Sequence, residues 1–236
     1  MDTNMIHVIK GIALGLVVLL ATIGIFEFTN LDTTVQDYYF NKETGEWCVD
    51  KDDFKAKVLF YKWPKTSVVS FGICCIFGLI ISPWSSPLRK HKKFMVLMTA
   101  SLAFVPLVVN VGKATSNVHC PYELSLYDGK HPYVHTFQPF KNGERPEGRG
   151  RGFPAGHSTA GFSLMMLGFT LRGRWQRLLG FAFGATLGWI LGGYQMLRGA
   201  HFLSHTIVSA ELAWIIILSL ILINHKWESS RVSTPL

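Results

Sequence analysis

Apolar residues in this chain come in long blocks, and polar residues fill the intervals. The blocks cover residues 5–28, 66–84, 94–112, 157–171, 178–197 and 206–224. A helix needs about 20 mostly apolar residues to cross a bilayer, and a crossing segment must satisfy its own backbone polar groups. The pattern predicts an all-α integral membrane protein with six transmembrane helices, folded as one domain over residues 1–236. The first block is not read as a cleaved leader, because Glu27, Phe28 and Thr29 follow it without a small-residue cleavage site. The fourth block is short at its core. The fifth carries Gly180, Gly184, Gly188 and Gly192 at four-residue steps, with Gly193 beside the last, which predicts close helix packing. The sixth holds one acid, Glu211. An acid inside a span is expected to be paired or functional, and a site histidine or arginine is its expected partner.

The polar intervals differ in charge. Residues 88–93 read Leu-Arg-Lys-His-Lys-Lys, and Arg172, Arg174 and Arg177 crowd a second short loop. With six spans, both loops share a side with the two termini and with Lys226 and Arg231. The excess of Lys and Arg puts that side in the cytoplasm. The loops at about 30–65, 113–156 and 198–205 then lie together on the outer face. Cys48 and Cys120 fall in these outer loops, where an oxidising compartment permits a disulfide. Cys74 and Cys75 sit in the second block as small apolar filler.

Composition narrows the function classes. Hydrophobic residues make up 49% and charged residues 16% of the chain, too apolar a balance for an ordinary soluble domain. The net charge of +8 suits cytoplasmic anchoring, anionic headgroups or an anionic substrate. The basic residues form short clusters between apolar blocks, so no nucleic acid is expected as a partner. Nothing in the chain calls for an obligate protein partner.

Three outer-face clusters carry chemistry. The first is Lys113, in N-V-G-K-A-T-S-N-V-H-C-P. The second is residues 150–164, G-R-G-F-P-A-G-H-S-T-A-G-F-S-L, where His157 and Ser158 stand at the entry to an apolar block behind Arg149 and Arg151. The third is residues 195–205, Q-M-L-R-G-A-H-F-L-S-H. Together they offer cations, a helix start with free N–H groups and histidines from two spans. Phosphoryl transfer needs such a set: groups that hold the non-bridging oxygens, a nucleophile, and an acid for the leaving oxygen. The outer loops lack a compact acidic cluster, so no metal and no cofactor are expected. His119, His131 and His135 read as solvated loop residues.

These clusters resemble the three-part signature of the type 2 phosphatidic acid phosphatase family, which is shared with bacterial acid phosphatases and vanadium haloperoxidases. The signature runs K-x6-R-P, P-S-G-H and S-R-x5-H-x3-D. The resemblance implies that His201 is the nucleophile that forms a phosphohistidine. It implies that His157, in Pro154-Ala155-Gly156-His157, is the general acid, and that Lys113 binds phosphate oxygens. Arg198, Arg151, Gly156 and Ser158 join Lys113 as candidate substrate-binding residues. Cys120 stands where the signature has arginine, and Arg149 or Arg151 is available to fill that gap. The set Lys141, Arg145 and Pro146 has shorter spacing and ranks lower. Gln195 stands where the third part has arginine, with Arg198 three residues before His201. His205 replaces the aspartate that orients the nucleophile, so His205 and Glu211 are the candidate relay residues.

The implied activity is hydrolysis of a phosphomonoester or pyrophosphate on a membrane lipid, without metal. Lipid A phosphate, undecaprenyl pyrophosphate and phosphatidylglycerol phosphate are the candidate substrates. The implied location is a bacterial inner membrane, with termini cytoplasmic and the site periplasmic. A lipid phosphotransferase would use the same residues. A non-enzymatic protein that binds metal or anionic lipid through His157, His201 and His205 is the rival from another class.

Overall fold

The computed structural model describes residues 3–138 and 149–232. Helices dominate it. α1 is Thr3–Glu27, and α2 is Leu31–Gln36. A two-stranded antiparallel hairpin follows, β1 Phe40–Asn41 and β2 Glu46–Trp47, with Phe40 opposite Trp47. α3 is Phe54–Ile81, α4 is Ser86–Lys90 and α5 is Lys92–Thr115. α6 is Thr159–Thr170, α7 is Arg174–Leu197 and α8 is Leu203–Val232.

Among the described residues, four helices are long and apolar enough to cross a membrane: α1, α3, α5 and α8. The expected six are therefore four by this measure, and the two that differ do so for separate reasons. α6 has only 12 residues, about 18 Å at 1.5 Å per residue, against a hydrocarbon core of about 30 Å. It is also interrupted by a 3-10 turn at Leu164–Met166. α7 has 24 residues, but its glycines, Thr186 and Gln195 dilute its apolar character. α6 is largely buried, and α7 packs its glycine face against it while Leu178, Leu179 and Phe183 on the opposite face are exposed. An added Cβ on Gly161 would sit 2.1 Å from the Gly188 nitrogen, and one on Gly184 would sit 2.4 Å from the Met165 nitrogen. Small residues let two backbones approach this closely, and in a bilayer such packing holds helices together. The four-residue glycine step is thus a packing device. Gly193 stands apart from it, with open space around it.

The second span starts earlier than its hydropathy predicts. The Asp53 carboxylate accepts from the Lys55 and Ala56 N–H groups and caps α3 at Phe54. The first turns contain a π-helical segment, Val58–Lys62. Lysines make this stretch look like loop, but they alternate with Phe54, Phe60, Tyr61 and Trp63. That mixture suits the membrane–water interface, where lysine stems lie along apolar surface. α8 also starts early, at Leu203, so the outer joint is 198–202 and His205 lies in the helix.

The buried core sits where α5, α6, α7 and α8 meet, around Met98, Val105, Phe162, Met166 and Ile217. α1 packs mainly along α8. Large apolar side chains such as Leu14, Val17, Leu20, Phe77 and Leu179 face outward, as a bilayer would favour. Lys90, His91, Lys93 and Arg172 line one shared cavity at one end of the bundle. The three chemistry-bearing clusters collect at the other end. A small aromatic layer of Phe40, Tyr127 and Phe202, flanked by Trp47 and Tyr133, covers that end.

Candidate active site

Each wall of the site follows from local sequence. Lys113 occupies the last turn of α5 and runs alongside Gly156. A Cβ on Gly156 would lie 3.5 Å from Lys113 Cδ and 3.7 Å from its Nζ. The Gly-Arg-Gly stretch lies against the segment after α5. Gly152 N donates to Val118 O at 2.6 Å, and Gly150 N donates to Asn117 Oδ1 at 3.0 Å. Side chains at 150 or 152 would run into the Val118–His119 backbone. The two glycines therefore allow the contact, and the alternating arginines project from it.

Both arginines border the same polar basin, but their hydrogen bonding differs. Arg149 donates to Thr115 O and Ser116 O, capping the C-terminus of α5 in the way basic side chains do. Arg151 is exposed and lines a polar basin of about 500 Å³ together with Lys57, Lys113, Arg198, His157 and His201. Cys120 lines the same basin. Burial pushes its thiol up to about 12, with Glu123 adding to the effect, so it is a neutral group where the signature has a cation. Neither Cys48 nor Cys120 is in a disulfide; both thiols are free. Lys141, Arg145 and Pro146 lie outside the described residues.

His157, His201 and His205 come together. The rings of His157 and His201 are 5.9 Å apart by centroid. His201 Nδ1 faces His205 Nδ1 at 3.5 Å. The Gly152 backbone hydrogen-bonds both imidazoles, and because its N–H is already given to Val118, its carbonyl is the acceptor. Ala155 N donates to His205 O at 3.0 Å, which ties the Pro-Ala-Gly turn to α8. Ser209 Oγ donates to Ala155 O and strengthens the tie. Ser158 is fully buried and its Oγ donates to Ala155 O. Its hydroxyl serves the turn and does not open into the basin.

The electrostatics suit an anion. Burial, with the positive Lys113, Arg198 and Lys65 adding to it, lowers His157 to about 4. Burial, then His205 and Lys113, hold His201 well below the ordinary imidazole range. A basin with several cations and two uncharged imidazoles disfavours more positive charge and favours an anion. His157 Nδ1 and Arg198 Nε are buried without a hydrogen-bond partner. Buried polar groups are normally satisfied, so both are available to a ligand. Arg198 stays near the basin by stacking on Tyr194, 5.7 Å from the ring centroid.

Some expected members are elsewhere. Glu211 does not reach a site histidine or arginine. Its Oε1 accepts from Thr22 Oγ1 at 2.6 Å, in the seam between α8 and α1, because its position puts it on the face of α8 that meets α1. His119 is buried and stacks on His131 at 3.9 Å between centroids, so it is not a solvated loop residue. Among the described residues, no group of three or more His, Cys, Asp or Glu is placed to hold a metal ion.

The structure also supplies residues that the motifs did not. Lys57 and Tyr61 line the polar basin, and Tyr61 and Lys65 line a second cavity. The Tyr61 ring lies 4.9 Å from that of His157. Their spacing, i, i+4 and i+8, is the sequence signal for one face of a helix; it was hidden because the stretch reads as loop. The second cavity is about 490 Å³. It runs down between α3, α5 and α6, walled by Val68, Ile73, Ile76, Leu102 and Pro106. Lys113, His157 and Tyr61 border both cavities.

A family model described as the PAP2 superfamily matches residues 94–229, more than half of the chain. The chain belongs to that superfamily, whose members are phosphatases, and its general activity class is phosphoester hydrolysis. No curated protein and no solved structure matches the chain. The matched segment contains all three signature clusters and excludes α1, α2, the hairpin and α3.

Proposed function

We propose that this protein is a membrane lipid phosphatase that works through a phosphohistidine on His201 without a metal ion. The observation that carries the reading is the join between the two cavities. A cationic basin and an apolar groove meet at Lys113, His157 and Tyr61. Such a shape fits an amphiphile, with its phosphate in the basin and its chain in the groove. The groove opens between helices, so the lipid enters from the side.

In this mechanism Lys113, Arg198 and Arg151 hold the non-bridging oxygens, with N–H groups near Gly156 and Ser158. Nδ1 of His201 faces His205, so Nε2 is the nitrogen that attacks phosphorus. The P–N bond forms as the P–O bond to the lipid breaks, and His157 gives its proton to the leaving oxygen. Phosphate dianion entering the basin reverses the local field, and this is what charges His157 for the task. His157 then takes a proton from water as that water attacks phosphorus, and His201 departs as a neutral imidazole. His205 and the Gly152 carbonyl keep the His201 ring oriented. Lipid A phosphate, undecaprenyl pyrophosphate and phosphatidylglycerol phosphate all satisfy the head-and-chain requirement. The basic end of the bundle supports cytoplasmic termini, an outer-face site in a bacterial inner membrane, and α6 and α7 crossing within a six-helix bundle.

The test is phosphate release from a panel of lipid phosphates by purified protein in detergent with chelator present. Release that survives chelation and vanishes in His201→Ala is expected. No turnover on any lipid phosphate, with tight zinc binding instead, would replace this reading with that of a binding protein.

A further inference from the structure

His205 stands where the signature has an aspartate. A carboxylate does reach this turn of chain, but it comes from α2, outside the segment that the family model matches. Asp32 is 6% exposed. Its Oδ1 accepts from Ser204 N at 2.9 Å, and its Oδ2 accepts from Ser204 Oγ. Ser204 lies between His201 and His205 in the first turn of α8. Its N–H is one of the groups that a helix start leaves without an internal partner, and a carboxylate there also suits the helix dipole.

The same short helix grips the other side of the turn. Gln36, one turn after Asp32 and fully buried, donates from Nε2 to Met196 O at 2.9 Å. Val49 N then donates to Leu197 O. Trp47 packs on Gly199, whose φ of +70° and tight contact leave no room for a side chain. The loop that carries His201 is thus fastened from outside at Met196, Leu197, Gly199 and Ser204.

We propose that Asp32 is a positioning residue for the nucleophile, fixing Ser204 and through it the relative placement of His201 and His205. The proposal rests on His201 being the nucleophile. Asp32 has no contact with substrate in this account. It supplies, from another helix and through the backbone, orientation that the signature aspartate supplies directly.

Asp32→Asn is nearly the same shape, and it keeps one acceptor for Ser204 N–H while losing the charge. The test measures the rate of phosphohistidine formation in single turnover, with steady-state KM and kcat, for wild type, Asp32→Asn, Ser204→Ala and the double variant. Melting temperature in detergent is recorded for each. Small misplacement of a reacting group can cost up to about 100-fold. The expected result is a phosphohistidine rate down roughly 10- to 100-fold in Asp32→Asn, with KM and melting temperature near wild type. Ser204→Ala should match it, and the double variant should be no slower than either single, since residues acting through one contact are not additive. A wild-type rate in Asp32→Asn, or a loss that tracks the unfolded fraction, would overturn the proposal alone. No phosphohistidine in the wild type would overturn the reading beneath it, and the proposal with it.

Discussion

If the apolar groove holds the lipid chain, narrowing it should harm long-chain substrates and spare short ones. Ala103 is the place to do this. It lies on α5, lines the groove and is exposed, so a larger side chain there does not disturb the core. The groove is about 490 Å³ and begins at His157 and Lys113, so a chain must pass Ala103 as it descends from the phosphate. An indole at that point displaces roughly three methylenes, each worth about 0.8 kcal/mol of burial. The loss is about 2.4 kcal/mol, or roughly 50-fold in kcat/KM. A water-soluble phosphomonoester with no chain should show no change, because the basin is untouched. The assay compares kcat/KM for a long-chain lipid phosphate and a short-chain analogue in Ala103→Trp and wild type. Equal losses on both substrates would mean distortion of the site. No loss on either would remove the groove from substrate binding.

Three further outcomes follow from the geometry. Arg151→Ala and Arg149→Ala should behave differently: the first should lower kcat/KM by roughly 10- to 100-fold, the worth of a charge-assisted bond, whereas the second should leave kcat/KM intact and lower the melting temperature, because Arg149 caps α5. Steady-state kinetics and a thermal melt on the pair distinguish the roles, and equal kinetics would leave Arg151 as a headgroup contact only. Burial holds the folded pKa of His157 at about 4 against an ordinary value of 6.5, so folding stability should be lost as pH falls between those values. The wild type should lose about 2 kcal/mol more than His157→Asn between pH 7 and pH 5 in phosphate-free buffer, and identical pH profiles for the two would contradict the assignment. Gly161→Ala should destabilise by about 1–3 kcal/mol or prevent folding, since its Cβ would meet the Gly188 backbone; a wild-type melting temperature would contradict the packing.

Much of this was legible in the chain, for reasons of length and chemistry. α1, α5 and α8 are simple apolar runs, and hydropathy reads such runs well. The histidines and Lys113 were found because their sequence spacing matches a known signature, and the fold brings them to one end of the bundle. What was hidden depended on tertiary context. Asp32 looks like any acid in a polar loop until Ser204 is beside it. Tyr61 and Lys65 are read as loop because lysines lower local hydropathy, although Asp53 caps a helix there. Glu211 was assigned to the site because sequence does not say which face of α8 meets α1. The 12-residue length of α6 and its 3-10 turn were likewise hidden, because hydropathy reports an apolar run and not where its helix starts or breaks.

The central claim is that phosphate passes through His201. The most direct measurement is to quench the protein under base during turnover of a lipid phosphate, digest it, and locate phosphorylated histidine by mass spectrometry. The account predicts phosphate on His201, accumulating in His157→Ala with a substrate whose leaving group needs no protonation. Phosphate on a different residue, or turnover in His201→Ala at the wild-type rate, would contradict it.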